Sequence, residues 1–397
     1  MSALSDLRVV EMGQLLAGPF CGQLLADFGA DVIKIEPPAG GDPMREWGRE
    51  KAGGRSLWWP VVARNKRSVA IDLRTTPGQE VVGDLLATAD VLVENFRPGT
   101  LEKWGLGPDA LLRRNPRLIV VRVSGYGQTG PYAERPGYGA IGEAMGGLRA
   151  VIGEPDRPPA RAGVSIGDTL AAMFACIGCL SALHHRELTG AGQVVDTALY
   201  EAVLGVMESL IPEYTVAGYV RRRTGSILPN VSPANAYPTR DGKEHLISGN
   251  QDTVWKRLAT AMGHPEWGDD PRYATHTARG QNQAELDRII GEWTRTLDAD
   301  HLESLLNEHA VPNGKIFTAP DMLADAHFAA REAIVRMHHP VLGEFPMQNV
   351  VPKLSSSPGE VRWVGPELGE HTDQVLGGVL GLSHSAIAAL RESGVVA

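Results

Sequence analysis

Short runs of consecutive apolar residues alternate with segments of helical periodicity through the first half of the chain. Residues 8–12, 31–35, 68–73, 91–94 and 118–124 have the length and apolar density of strands, whereas 18–28 and 77–87 repeat their apolar positions at helical spacing. Strands separated by helices predict a mostly parallel sheet, because parallel neighbours need a crossover between them. Two helices follow, over 169–188 and 197–216, with Thr189-Gly-Ala-Gly192 as the break. The pattern then changes: Arg221-Arg-Arg-Thr-Gly-Ser226 and the Pro-containing run to Pro238 read as a linker into a strand at 245–248 and helices at 253–262 and 283–297. From about residue 325 strand-and-turn signals dominate, at 335–338, 341–344 and 349–354, before a last helix at 383–392. The expectation is an α/β fold with a large domain over 1–220, a smaller α+β domain over 221–325 and a C-terminal segment over 326–397.

At 397 residues the chain exceeds one ordinary core, which agrees with more than one domain. Thirty-eight Lys and Arg against 47 Asp and Glu leave a net charge of -9, which opposes nucleic acid as a partner, so any anion site must be a local basic pocket. The three cysteines, Cys21, Cys176 and Cys179, form no disulfide framework, and a reducing, cytoplasmic setting is expected. The N-terminus shows no secretion signal. The longest apolar stretch, residues 170–183, is shorter than the roughly 20 residues needed to span a bilayer, so a buried helix and no membrane partner are expected.

Candidate chemistry is sparse. Gly125-Tyr-Gly-Gln-Thr-Gly130 fits a dinucleotide fingerprint, but Pro131 and Pro136 follow where a long helix should open, which favours a Gly-rich turn at a strand end. Cys176-Ile-Gly-Cys179 lies inside an apolar helical run with no cation near it, which favours packing over redox or metal chemistry, and no histidine spacing suggests a metal. Arg64-Asn-Lys-Arg67 reads as a solvated charged face, with a phosphate-bearing ligand as the alternative. Asp168, just before the apolar helix, reads as an N-cap; the same position suits an anionic nucleophile, because a helix start favours a carboxylate and stabilises oxyanions beside it.

Leu16-Ala-Gly-Pro19, Gly29-Ala-Asp-Val-Ile-Lys-Ile-Glu36, Asn65-Lys-Arg-Ser68, Val93-Glu-Asn-Phe-Arg-Pro-Gly99, Ser124-Gly-Tyr-Gly127, Gly167-Asp168, Thr189-Gly-Ala-Gly-Gln193 and Leu368-Gly-Glu-His-Thr372 run in one order along the chain. That order resembles the family III CoA-transferases, relatives of formyl-CoA:oxalate, carnitine and bile-acid CoA-transferases. The resemblance implies a Rossmann-like large domain that receives the C-terminal segment back, a small domain between, and two subunits interlocked as a homodimer. It implies Asp168 as the covalent nucleophile, with acyl-CoA and carboxylic acid as substrates and no separate cofactor. Leu16, Ala17, Ile71, Asp72, Leu73, Arg74, Asn95, Phe96, Arg97, Lys103, Arg135, Pro136, Gly137 and Tyr138 would line the CoA site, with Phe96 against adenine and Arg74, Arg97 and Lys103 on phosphates.

Departures shape the expectation. Leu16 stands where the formyl transferase has Gln, Pro37 where it has a cation, and its glycine-run loop has Ser248-Gly-Asn-Gln251 as the nearest counterpart, so oxalate is not the expected acceptor. The contexts of Tyr138–Gly147, Asp168 and Thr224–Pro229 look most like members that use succinyl-CoA and dicarboxylic acids. Two alternatives remain: an α-methylacyl-CoA racemase, against which Tyr138 stands where racemases carry a His base, and a non-catalytic acyl-CoA binding protein. Glu143 would repel an acceptor carboxylate if it faced the pocket.

Overall fold

The computed structural model describes residues 2–397. The chain divides into two compact units: the chain up to Leu148 with Ala162–Pro212 and His327–Ala397, and Arg149–Arg161 with Glu213–Ala326. The first holds β1 (Arg8–Glu11), α1 (Ala17–Asp27), β2 (Asp31–Glu36), β3 (Lys66–Ala70), α2 (Thr76–Ala87), β4 (Val91–Glu94), β5 (Ile119–Ser124), α3 (Gly139–Met145), α4 (Ile166–Thr189), β6 (Gln193–Ala198) and α5 (Leu199–Leu204).

Six strands form one sheet in the order β3-β2-β1-β4-β5-β6, and every neighbouring pair is parallel. Successive apolar residues along each strand point to opposite faces, which is why the strands read as unbroken apolar runs. Val9, Val32, Val91 and Val121 pack on one face with α1 and α4, through Leu25, Ala172 and Cys179. Val10, Ile33, Leu92 and Val120 pack on the other with α2, through Val82 and Leu85. The helices at Thr372–Gly378 and His384–Glu392 add Val375, Leu376 and Ile387 to that second face. Chain closure there includes Asp72 N–H donating to Val395 O at 2.8 Å.

Local chemistry sets the element ends. Thr75 accepts a hydrogen bond from Gly78 N–H and Pro77 occupies the first turn of α2, both ordinary start signals. α4 stops at Gly190, whose φ of 77° is the left-handed cap that glycine adopts without strain. The chain then turns tightly into β6, and a Cβ on Gly192 would fall 2.1 Å from Leu118 O, so only glycine admits this approach.

Three expectations need correction. Residues 197–216 are not one helix: 197 and 198 end β6, and helices Leu199–Leu204 and Leu210–Ala217 share most of the rest; β6 lies at the sheet edge and is mostly exposed, and Gln193, Asp196 and Thr197 mask it from an apolar-run criterion. Residues 349–354 form no strand: the antiparallel hairpin Ile334–His339 with Gly343–Gln348 ends before them, and Pro352 has no N–H to extend it. α4 is 24 residues, long and apolar enough to cross a membrane by length and composition, and only one face is buried; Met173, Phe174, Ile177 and Leu180 are exposed.

The second unit is built on an antiparallel sheet in the order Asn313–Lys315, Glu244–Ser248, Ala234–Pro238. Helices Asp252–Ala261, Gln283–Thr294 and Ala299–Glu308 supply Trp255, Leu258, Ile290, Leu302 and Leu306 to a core with Tyr237 and Ile247. Arg149–Arg161, which the sequence reading kept within 1–220, belongs to this unit.

Candidate active site

The strand order forces a crevice. The chain leaves β1 outward to β2 and β3 and returns to β4 beside β1, so the loops after β1 and β4 diverge at the carboxyl edge of the sheet, where open α/β sheets bind ligands. Asn95 bridges that divergence: its Oδ1 accepts from Gln14 N–H at 2.7 Å and its Nδ2 donates to Gln14 O at 2.9 Å. A Cβ on Gly13 would come within 2.9 Å of Asn95 Oδ1, which accounts for the glycine.

Buried charge fixes the loop after β1. Lys34 Nζ lies 2.7 Å from Asp42 Oδ2 and 3.0 Å from Glu11 Oε1 and donates to Gly13 O; Lys66 Nζ lies 2.7 Å from Glu11 Oε2. Asp42 Oδ1 accepts from Leu15 N–H at 3.0 Å, and Leu15 sits at φ 63°, a conformation Leu adopts only when held. Burial opposes the charge on Lys34, but Asp42, Glu11 and Glu36 outweigh it and raise its pKa; burial likewise opposes the Asp42 carboxylate, and Lys34 brings its pKa below the usual value. Arg64-Asn-Lys-Arg67 is therefore neither a solvated face nor a phosphate cradle. Arg64 forks onto Asp27 at 3.0 and 2.6 Å, Lys66 is fully buried, and Arg67 pairs with Asp31 at 2.6 Å.

Two cavities flank the Gln14–Asn95 bridge and share Gln14 and Phe96 as walls. The first, about 250 Å³, brings together Leu16, Ala17, Asn95, Phe96, Arg97, Arg135, Pro136, Gly137, Tyr138 and Asp168. The second, about 260 Å³, is lined by Ile71, Asp72, Leu73, Arg74 and Phe96. Lys103 lines neither and is exposed. Arg74 is strongly exposed and forks onto Asp72 at 2.9 and 2.7 Å, whereas the exposed Arg97 side chain makes no hydrogen bond among the described residues. Phe96 meets Trp104 edge-on at 5.1 Å between centroids, which leaves its other side to the cavities.

Asp168 is not the N-cap. Ser165 occupies the N-cap position of α4, with no side-chain capping bond, and Asp168 is the third helical residue, still within the first turn where the helix dipole favours a carboxylate. A Cβ on Gly139 would fall 2.1 Å from Asp168 Oδ2, so glycine at the start of α3 makes room for that carboxylate. Glu143, one turn along α3, is buried and does not line the cavity. Gly125, first of the dinucleotide-like motif, packs backbone to backbone on the predicted wall: its Cβ would lie 2.8 Å from Gly137 Cα. Cys21 and Cys179 are buried in the core against which Cys176 packs.

Sequence reasoning missed several wall residues. Gln14, Pro98, Ser124, Gly125 and Leu199 line the first cavity, and Met12, Ile35, Pro37 and Trp104 the second. All but Leu199 and Trp104 belong to the last residues of a parallel strand or the loop after one, a position the predicted strand ends already flagged.

Residues 4–372 match the family model for CoA-transferase family III. The succinyl-CoA–D-citramalate CoA-transferase of Chloroflexus aurantiacus is 58% identical over 99% of this chain and 98% of its own length. The succinyl-CoA–L-malate CoA-transferase beta subunit of the same organism is 42% identical over 99% and 98%. The crystal structure of a CAIB/BAIF family protein from Brucella suis superposes with a TM-score of 0.84 at 36% identity, over 95% of this chain and 99% of that one. The chain belongs to CoA-transferase family III and is an enzyme that moves CoA between an acyl-CoA and a carboxylic acid.

Proposed function

We propose that Asp168 carries the exchange as a covalent nucleophile, with succinyl-CoA as donor and a dicarboxylic acid of the citramalate type as acceptor. The observation that carries the mechanism is the Asp168 carboxylate in the first turn of α4, on the wall of the cavity shared with Asn95–Arg97 and Arg135–Tyr138. The choice of substrates is supported by the relative named for succinyl-CoA and D-citramalate, 58% identical along essentially the whole chain.

The chemistry balances without a redox partner. The Asp168 carboxylate attacks the thioester carbonyl of the donor, giving a mixed anhydride and CoA thiolate. Thiolate then attacks the aspartyl carbonyl, releasing the donor as its free acid and leaving an aspartyl-CoA thioester. The acceptor carboxylate attacks that thioester, forming a second anhydride and freeing thiolate again, and thiolate takes the acceptor acyl group to give the new acyl-CoA and regenerate Asp168. Splitting one exchange into four acyl transfers keeps every leaving group a thiolate or carboxylate. Arg97 is the cation best placed for a CoA phosphate, Phe96 offers an apolar face for adenine, and Arg74 would have to exchange Asp72 for phosphate. Tyr138 at the racemase base position favours transfer over α-proton exchange.

Incubation with succinyl-CoA and D-citramalate should yield free succinate and a new CoA thioester. Formyl-CoA with oxalate should give little. A donor and acceptor screen in which no succinyl-CoA reaction appears, while another pair turns over well, overturns the substrate reading and leaves the family intact.

The working form is proposed to be an interlocked homodimer in the cytoplasm. Met173, Phe174, Ile177 and Leu180 of α4, with Leu204 and Val206, form a run of exposed apolar side chains of the kind that associating surfaces cover. Sedimentation should give one dimeric species at all dilutions, and differently tagged dimers mixed under native conditions should not exchange subunits. A folded monomer at low concentration, or free exchange, would overturn the interlocked form.

A further inference from the structure

Ser124, the last residue of β5, is more than nine-tenths buried, and its Oγ has no hydrogen-bond partner among the described residues. Native proteins seldom leave a buried hydroxyl without a partner, because the group loses its water and gains nothing in return. Ser124 lines the same cavity as Asp168. Leu16 and Ala17, at the start of α1, line it too; no side chain caps that helix, and their N–H groups have no acceptor among the described residues. First-turn N–H groups point out of the helix start, so they and Ser124 border one space.

We infer that Ser124 Oγ is a hydrogen-bond donor to the carbonyl oxygen of the acyl group under attack, acting with the N–H groups of Leu16 and Ala17. This rests on the Asp168 exchange proposed above. No bond to Ser124 is made or broken: its O–H donates to an oxygen that becomes an oxyanion as each tetrahedral intermediate forms and returns to a carbonyl as the leaving group departs. Neutral donors suit that task. They hold a carbonyl weakly and an oxyanion strongly, so their contribution falls on the transition state, whereas a cation would also hold a ground-state carboxylate. The hydroxyl has no partner in the free protein because the substrate supplies it.

Ser124→Ala separates this role from a structural one. Removing a buried hydroxyl that bonds nothing should leave Tm unchanged or raise it, while a structural hydroxyl would lower it. The variant should bind free CoA as the unsubstituted enzyme does and show KM within about twofold, with kcat lowered by about 100-fold. Hydroxylamine trapping of acyl groups at Asp168 from donor acyl-CoA should slow by the same factor. A kcat within about threefold of the unsubstituted enzyme, or a loss of activity that follows a lower Tm, overturns the inference. Asp168→Asn assayed alongside keeps the two readings apart. Loss of transfer in Asp168→Asn with full activity in Ser124→Ala defeats the Ser124 role alone, and full activity in Asp168→Asn defeats the exchange it depends on.

Discussion

Asp168→Asn should fold, bind CoA and transfer it at least about a thousandfold more slowly, since a carboxamide is a far weaker nucleophile than a carboxylate. The position makes the test a clean one. Asp168 lies at the third residue of α4 rather than at its cap, so Ser165 still begins the helix in the variant. What the helix loses is the attraction of a charge to its dipole, about 0.3–1 kcal/mol, too little to unfold the protein. The substitution adds no bulk against Gly139, whose missing Cβ accommodates the carboxyl group. Unsubstituted enzyme held with donor acyl-CoA alone should yield a hydroxylamine or borohydride adduct that peptide mass mapping places at Asp168. Activity that persists after deamidation to Asp has been excluded, or an adduct on another residue, would sink the mechanism while leaving the family assignment standing.

The parts of the fold legible in sequence are those with one physical cause. β1, β2, β4 and β5 are covered on both faces, so Val9-Val10, Val32-Ile33, Val91-Leu92 and Ile119-Val120 appear as apolar pairs that need no tertiary knowledge to recognise. β6 pairs on one side only, and its sequence mixes Val194 and Val195 with Gln193, Asp196 and Thr197, so no apolar run marked it as a strand. For the site, the order of motifs named the residues, but not what they do for one another. Asn95 appeared as a wall of a CoA site; its most definite contacts are the two hydrogen bonds that join the loops after β1 and β4. Arg64, Lys66 and Arg67 appeared as surface charge because their partners, Asp27, Glu11 and Asp31, lie 30 or more residues away in sequence. Pairing at that separation follows from sheet register, which side-chain chemistry read locally does not contain.

Those pairings give the second large effect. Lys34→Met should destabilise the enzyme by about 3–5 kcal/mol, because it leaves Asp42 buried without its cation and Glu11 with Lys66 alone. For a unit of this size that is roughly 6–20 °C in Tm. Arg67→Met should cost less than about 1 kcal/mol, since its ion pair with Asp31 is partly exposed to water. The two variants remove the same charge from neighbouring strands, so the contrast isolates burial. Acid should then act with opposite sign on the enzyme and on Lys34→Met. In the unsubstituted enzyme Asp42 has a lowered pKa, so its contribution is present above the ordinary carboxylate value and is lost as pH falls through the lowered one. In Lys34→Met the buried Asp42 carboxylate has lost the cation that offset its burial, so its charge is penalised and protonation relieves the penalty. The gap in Tm between the two proteins should therefore narrow as pH falls from 7 toward the carboxylate range. Activity should suffer even where the variant is folded: Gly13 O loses its donor and Leu15 N–H its fixed acceptor, so the loop carrying Gln14 to Ala17 no longer holds the cavity wall. A Tm lowered by no more than Arg67→Met lowers it, or a gap that stays constant with pH, would show that the Lys34 network does not hold that loop by charge.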